Sequence, residues 1–179
     1  MDIDWRTTVW QQFGAAIDML DEAIRFCPDH VWTAILWKDT DDIRYGQFWF
    51  VAYHTLSWLD LFLTGSEEGF APPPPFTRGA LPEQPYTKEQ VLVYLARCRS
   101  KCQSVMEGLT EEKAQQRCEF EWMDLSFLEL QLYSMRHVQE HAAQLSLVLG
   151  QHDVTGFDWI AHAKDTRSSS NPTAQAQDQ

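Results

Sequence analysis

No stretch of this 179-residue chain approaches the about 18 to 20 continuous apolar residues that a membrane-crossing helix needs, so no membrane is expected as a partner. Basic residues are scarce. Fourteen Lys and Arg stand against 26 Asp and Glu, and the formal charge of -12 repels phosphate backbones and acidic headgroups, which makes nucleic acid an unexpected partner too. The four cysteines, Cys27, Cys98, Cys102 and Cys118, form no disulfide-like framework, and no secretory leader opens the sequence, so a reducing, cytoplasmic setting is expected. Internal repeats, a glycine-rich phosphate loop and strand-like alternation are all missing.

What the chain does hold is apolar and aromatic: 44% hydrophobic residues, with eight Trp and ten Phe, enough for one domain to bury a core without staples. That domain is expected over 1–163. The Ser-, Asn-, Thr- and Gln-rich stretch 164–179 has almost no apolar anchor and is expected to be a disordered tail. Helical spacing predicts a first helix over Asp4 to Phe26, closed by the Cys27-Pro28 step, and a second over Ile43 to Leu63, stopped by Gly65. Between them, Trp32, Ile35, Leu36 and Trp37 are too bulky for a bare linker and should fold back on the helices.

The segment Ser66 to Pro85 carries Pro72 to Pro75 in a row, cannot continue a helix, and is long enough to cross the molecule. Thr87 with Gln90 forms a capping box for a third helix through Met106, and Cys98 and Cys102 share its apolar face as small core residues. Thr110 to Ala114 adds a turn. Ser126 with Glu129 opens a last long helix, expected to run to Leu149 and close at Gly150. Four long helices with one long crossover between the second and third make an all-α four-helix bundle the economical architecture.

Within the last helix, Leu130, His137, His141, Gln144 and Val148 trace one stripe, and imidazoles four residues apart point the same way. His54 holds a comparable inward position on the second helix, between Phe50 and Leu61. Polar rings placed where leucine packs more easily are either hydrogen-bonded core or surface histidines, or ligands for one divalent ion held between the two helices with a coordination position left open. Phe50, Trp58 and Tyr133 are candidates to line an apolar mouth, Tyr53 and Ser57 to supply polar contacts, and Asp21 and Asp60 to stand behind the ligands as carboxylates.

The histidine inside the second helix and the pattern His-x-x-x-His-x-x-Gln-Leu, here His137, His141, Gln144 and Leu145, resemble the DinB-like (DinB/YfiT-like) superfamily of small four-helix metalloenzymes, from the first helix to about Leu149. The resemblance implies an up-down-down-up bundle, often a homodimer, with His54, His137 and His141 as ligands for zinc or nickel and water completing the shell. Many relatives carry His-Arg-Gly around the second ligand of this helix, where this chain has His141-Ala142-Ala143. Some branches resemble thiol S-transferases that use bacillithiol, mycothiol or glutathione; others resemble maleylpyruvate isomerases.

The expected function is therefore a metal-dependent enzyme acting on a small molecule, of the thiol S-transferase or hydrolase type, with a low-molecular-weight thiol as a possible co-substrate. The rival is a noncatalytic binding or structural protein in which metal merely stabilises the bundle. Glu140 and Tyr53 are the candidate catalytic side chains. His137-x-x-Glu140-His141 has the inverted zinc-protease spacing, in which the glutamate is a general base, although a residue next to a ligand on a helix does not share its inward direction.

Overall fold

The structure is a computed structural model that describes residues 4–165. Its elements in order are α1 (Trp5–Phe26), a 3-10 turn (Ile43–Gly46), α2 (Phe48–Thr64), α3 (Lys88–Glu107), the short α4 (Glu111–Gln115), the strands β1 (Arg117–Phe120) and β2 (Met123–Ser126), and α5 (Phe127–Gln151). Three of the four long helices, α1, α3 and α5, start where side chains can replace the missing carbonyl partners of their first amide groups. Asp4 caps α1, and both expected capping boxes are present, Thr87 with Gln90 on α3 and Ser126 with Glu129 on α5. Gly65 ends α2 at φ 82°, a left-handed conformation that suits a residue without a Cβ, and its N–H donates to the Leu61 carbonyl.

α1 packs on α3 and α5, and α2 packs on the same two helices, so α1 and α2 lie across the diagonal of an all-α bundle. Paired contacts give the directions. Arg6 reaches Leu109 while Asp18 meets Arg99, so α1 and α3 are antiparallel. Leu56 meets Cys98 while Asp60 meets Lys101, so α2 and α3 run together. His54 meets His137 while the Phe62 carbonyl accepts from Gln131, so α5 opposes α2. The order is up-down-down-up, and the parallel α2 and α3 require the long crossover of residues 65–87.

The core between the four helices contains Phe13, Ile17, Leu20, Phe48, Trp49, Leu56, Leu59 and Leu95, all essentially inaccessible. Each such side chain contributes about 1.5–3 kcal/mol by leaving water. Cys98 and Cys102 are free thiols in this core, and burial pushes the pKa of both up, as suits inert packing residues. A second apolar cluster at one end joins Leu61 and Phe62 to Leu109, Cys118, Phe120, Phe127 and Leu130.

Three expectations need correction. α2 does not begin at Ile43: Leu36 N–H donates to the Gly46 carbonyl, Trp49 N–H donates to the Trp32 carbonyl, and Ile35 bridges to Gln47. The returning connection thus takes the Gly46 carbonyl and the N–H groups of Phe48 and Trp49, and Ile43–Gly46 forms a 3-10 turn before the helix. Residues 117–126 form a two-stranded hairpin, with Arg117 opposite Ser126 and Phe120 opposite Met123. The alternation was there over four residues, since Cys118 and Phe120 face the second cluster while Arg117 and Glu119 face solvent. Finally, α5 continues through Gly150 to Gln151, and the chain turns only at Asp153, with φ 59°.

The connection after α1 does fold back: Trp32 is buried and its indole N–H donates to the Tyr86 carbonyl. At the other end of the chain, Lys164 N–H donates to the Asp18 carboxylate, and Arg99 bonds both Asp18 and the Lys164 carbonyl. Residues 166–179, which make up most of the expected tail, lie outside the described residues.

Candidate metal centre

His137 and His141 share a face of α5 because four residues make slightly more than one helical turn. The antiparallel packing of α2 against α5 brings His54 to them. His137 Nε2 lies 3.3 Å from His54 Nε2 and 3.1 Å from His141 Nε2. One ligand nitrogen from each of the three rings falls within 4.8 Å of the others. Nitrogens about 2.0–2.1 Å from one ion stand about 3.3–3.4 Å apart in a tetrahedral shell and about 2.9 Å apart at right angles, so the two short spacings match ligands of a shared cation.

The protonation states agree. Burial, with repulsion from His141, lowers His54 from its ordinary value of 6.5 to about 4. Burial first, then His141 and His54, lowers His137 to about 3. Both rings are neutral near pH 7 and keep a lone pair for a ligand. Gln144, one turn along α5, places its carbonyl oxygen 2.7 Å from His141 Nδ1. An amide oxygen only accepts, so Nδ1 carries the proton and Nε2 presents its lone pair to the cluster. A proton on His137 Nε2 serves one of its two neighbours well, whereas a divalent ion serves all three nitrogens. The donor set fits such an ion.

The residues matched by the DinB superfamily model are 47–145, more than half of the chain, and they include all three histidines. The chain belongs to the DinB superfamily. The crystal structure of a DinB-like protein from Bacillus subtilis is similar to it at 13% sequence identity, covering 86% of this chain and 97% of that one with a TM-score of 0.57. At that identity the likeness speaks for the fold. No curated protein matches the chain.

Around the histidines of this DinB-family protein the surface opens. A cavity of about 360 Å³ reaches both His54 and His141 and is walled by Trp37, Tyr45, Phe50 and Trp58, with Asp39 at its edge. A larger cleft of about 610 Å³ continues from His54 past Tyr53, Ser57 and Trp58 to Arg78 on the crossover. Phe50, Trp58 and Ser57 thus stand where the sequence reading put them.

Others do not. Tyr133 leans on Phe62, 5.6 Å between ring centres, and is not among the side chains lining either space. Asp60 faces α3, accepting from Tyr94 at 3.0 Å and Lys101 at 2.5 Å, and Asp21 pairs with Arg25 along α1. Glu140 is exposed and does not join the group of mutually close ligand atoms, because its neighbour His141 uses the inward direction. Tyr53 lines the cleft, but its hydroxyl donates to the Thr77 carbonyl, so it holds the crossover in place.

Sequence reasoning missed Trp37, Asp39, Tyr45 and Arg78 as lining residues. Trp37, Asp39 and Arg78 lie in irregular segments, where no periodicity marks the side that faces a cleft, and Tyr45 lies in the 3-10 turn that replaces the expected start of α2.

Proposed function

We propose that this protein is a metal-dependent enzyme acting on a small molecule, of the thiol S-transferase or hydrolase type, with His54, His137 and His141 holding zinc or nickel. The observation that carries the reading is the convergence of three Nε2 atoms at the foot of an aromatic-walled cavity. A divalent ion held there supplies Lewis acidity, which lowers the pKa of a coordinated thiol or water and polarises a substrate carbonyl. The chain's own residues orient and shield: Gln144 holds the His141 tautomer, and Phe50 and Trp58 offer apolar surface to the body of an electrophile. A site of this kind in an open cavity favours turnover over the rival structural role, in which the ion would be fully ligated by protein. The protein acts in the cytoplasm and pairs as a homodimer.

Elemental analysis of protein purified without an affinity tag tests the site. Near-stoichiometric metal is expected in the wild type, with loss in His54→Ala, His137→Ala and His141→Ala while circular dichroism stays helical. Metal retained in the folded triple variant would remove the ligand set. Consumption of low-molecular-weight thiols with electrophiles, and hydrolysis of amides and esters, then separate the two reaction types. Stoichiometric metal with neither reaction across such panels would favour the structural role.

A further inference from the structure

The crossover between α2 and α3 is a built wall of the cleft. Phe76 is buried, with its ring 5.6 Å from Tyr53, 4.6 Å from Tyr86 and 4.7 Å from Tyr94. The next residue, Thr77, gives its carbonyl to the Tyr53 hydroxyl and its N–H to the Tyr86 hydroxyl at 3.2 Å. Further along, the Pro82 carbonyl accepts from Arg44 at 3.1 Å. Arg78 therefore leaves a segment clamped on both sides, and its guanidinium is presented to the cleft from a prepared position.

That guanidinium sits with Cζ 5.2 Å from the Trp58 ring centre, and the same ring centre is 6.2 Å from that of His54. Cation and imidazole are thus separated by no more than the sum of two short steps along one aromatic wall. Glu67 on the same crossover takes one Nη2 contact at 2.5 Å. A guanidinium has five N–H donors in a planar fork, so one carboxylate contact and an aromatic face leave donors for a second anion.

We infer that Arg78 is the specificity determinant of the cleft, and that the small molecule bound there is an organic carboxylate: an anionic end on Arg78, an apolar spacer along Trp58 and Phe50, and the reacting group several bonds away beside His54. This names the substrate class for the site proposed above and rests on that reading only for the chemistry at the histidine end. The anchoring itself needs no metal.

Binding of a graded series of ω-phenylalkanoates, phenylacetate to 5-phenylpentanoate, and of the matching neutral amides tests the inference by ligand-observed NMR on the full-length protein, with zinc and again with chelator. At least one acid should bind about tenfold more tightly than its amide, the scale of one charge-assisted contact. Arg78→Met should erase the difference, Arg78→Lys should keep part of it, and Glu67→Gln should strengthen acid binding by freeing the fork. A merely structural Arg78–Glu67 pair predicts the opposite for the last variant, loss of binding in parallel with Arg78→Met. Equal binding of acids and amides, no acid binding at millimolar concentration, or an acid preference that survives Arg78→Met would each overturn the proposal. Metal uptake is read separately on the zinc-supplied samples: a wild type that takes up no zinc yet still prefers acids through Arg78 defeats the metal-enzyme reading and leaves the anion site standing.

Discussion

Replacing Gln144 by Leu removes one hydrogen bond and leaves the three imidazoles in place, which makes it a sharp probe of the centre. The contact removed is 2.7 Å long, from His141 Nδ1–H to the amide oxygen one turn ahead on the same helix. Without it the proton is free to sit on either nitrogen. Equal populations of the two tautomers would cost the ligand atom a factor of about two, roughly 0.4 kcal/mol. The larger loss is orientation, because the ring then turns about its own side-chain bonds and its nitrogen is no longer made more basic by an acceptor behind it. Removing such a support typically lowers metal affinity about 10–100-fold, or about 1.4–2.7 kcal/mol. Gln144→Leu should fall in that range in a competition titration against a chromogenic chelator, with helical content and urea midpoint of the metal-free protein nearly unchanged. Gln144→Glu should keep or tighten binding, since a carboxylate is the stronger acceptor. Affinity within twofold of wild type for Gln144→Leu would refute the claim that this amide sets the His141 tautomer.

Acid should weaken the metal-free fold. The unfolded chain takes up protons on His54 and His137 near pH 6.5, whereas the folded rings resist until about 4 and 3, so stability is complete above pH 7, falls as pH drops from about 6.5 toward 4, and levels off below 3. Urea midpoints in chelator should show a slope on the order of 1 kcal/mol per pH unit per ring, reduced in His54→Phe and His137→Phe; a flat profile from pH 7 to 4.5 would contradict the buried neutral rings. Gly46→Ala places a Cβ 2.0 Å from the Trp37 carbonyl oxygen, so the connection must shift, with a loss of about 1–3 kcal/mol by urea denaturation; a loss under about 0.5 kcal/mol would mean that this approach is not tight. Asp18→Ala leaves Arg99 without its two contacts at 2.6 and 3.0 Å and unties Lys164, which should cost about 3–5 kcal/mol and speed trypsin cleavage after Lys164; unchanged cleavage would show that the segment is held by its apolar contacts.

The features legible in the sequence are those encoded within a turn or two of chain. Ser126 and Glu129 announce the start of α5 because capping is a three-residue event, and Gly65 announces the end of α2 because a left-handed residue is a single-residue requirement. His137 and His141 share a face for the same local reason. Gly150 was misleading: nothing crowds it, and a lone glycine does not stop a helix whose flanking residues still pack, as Val148 and Leu149 do. The four-residue alternation of β1 was too short to stand out from a chain otherwise dominated by helical spacing.

By itself the sequence determined the helices, their caps, the apolar faces and the pairing of two histidines on α5, because each depends on backbone periodicity and neighbours at most four residues away. The tertiary structure alone decided that α2 starts late, that His54 meets that pair at 3.3 Å, and that Arg78 stands over Trp58 at the far end of the same cleft. These outcomes turn on which distant segments compete for one space or one hydrogen-bonding group, and no local spacing records a competition that exists only once the chain has closed on itself.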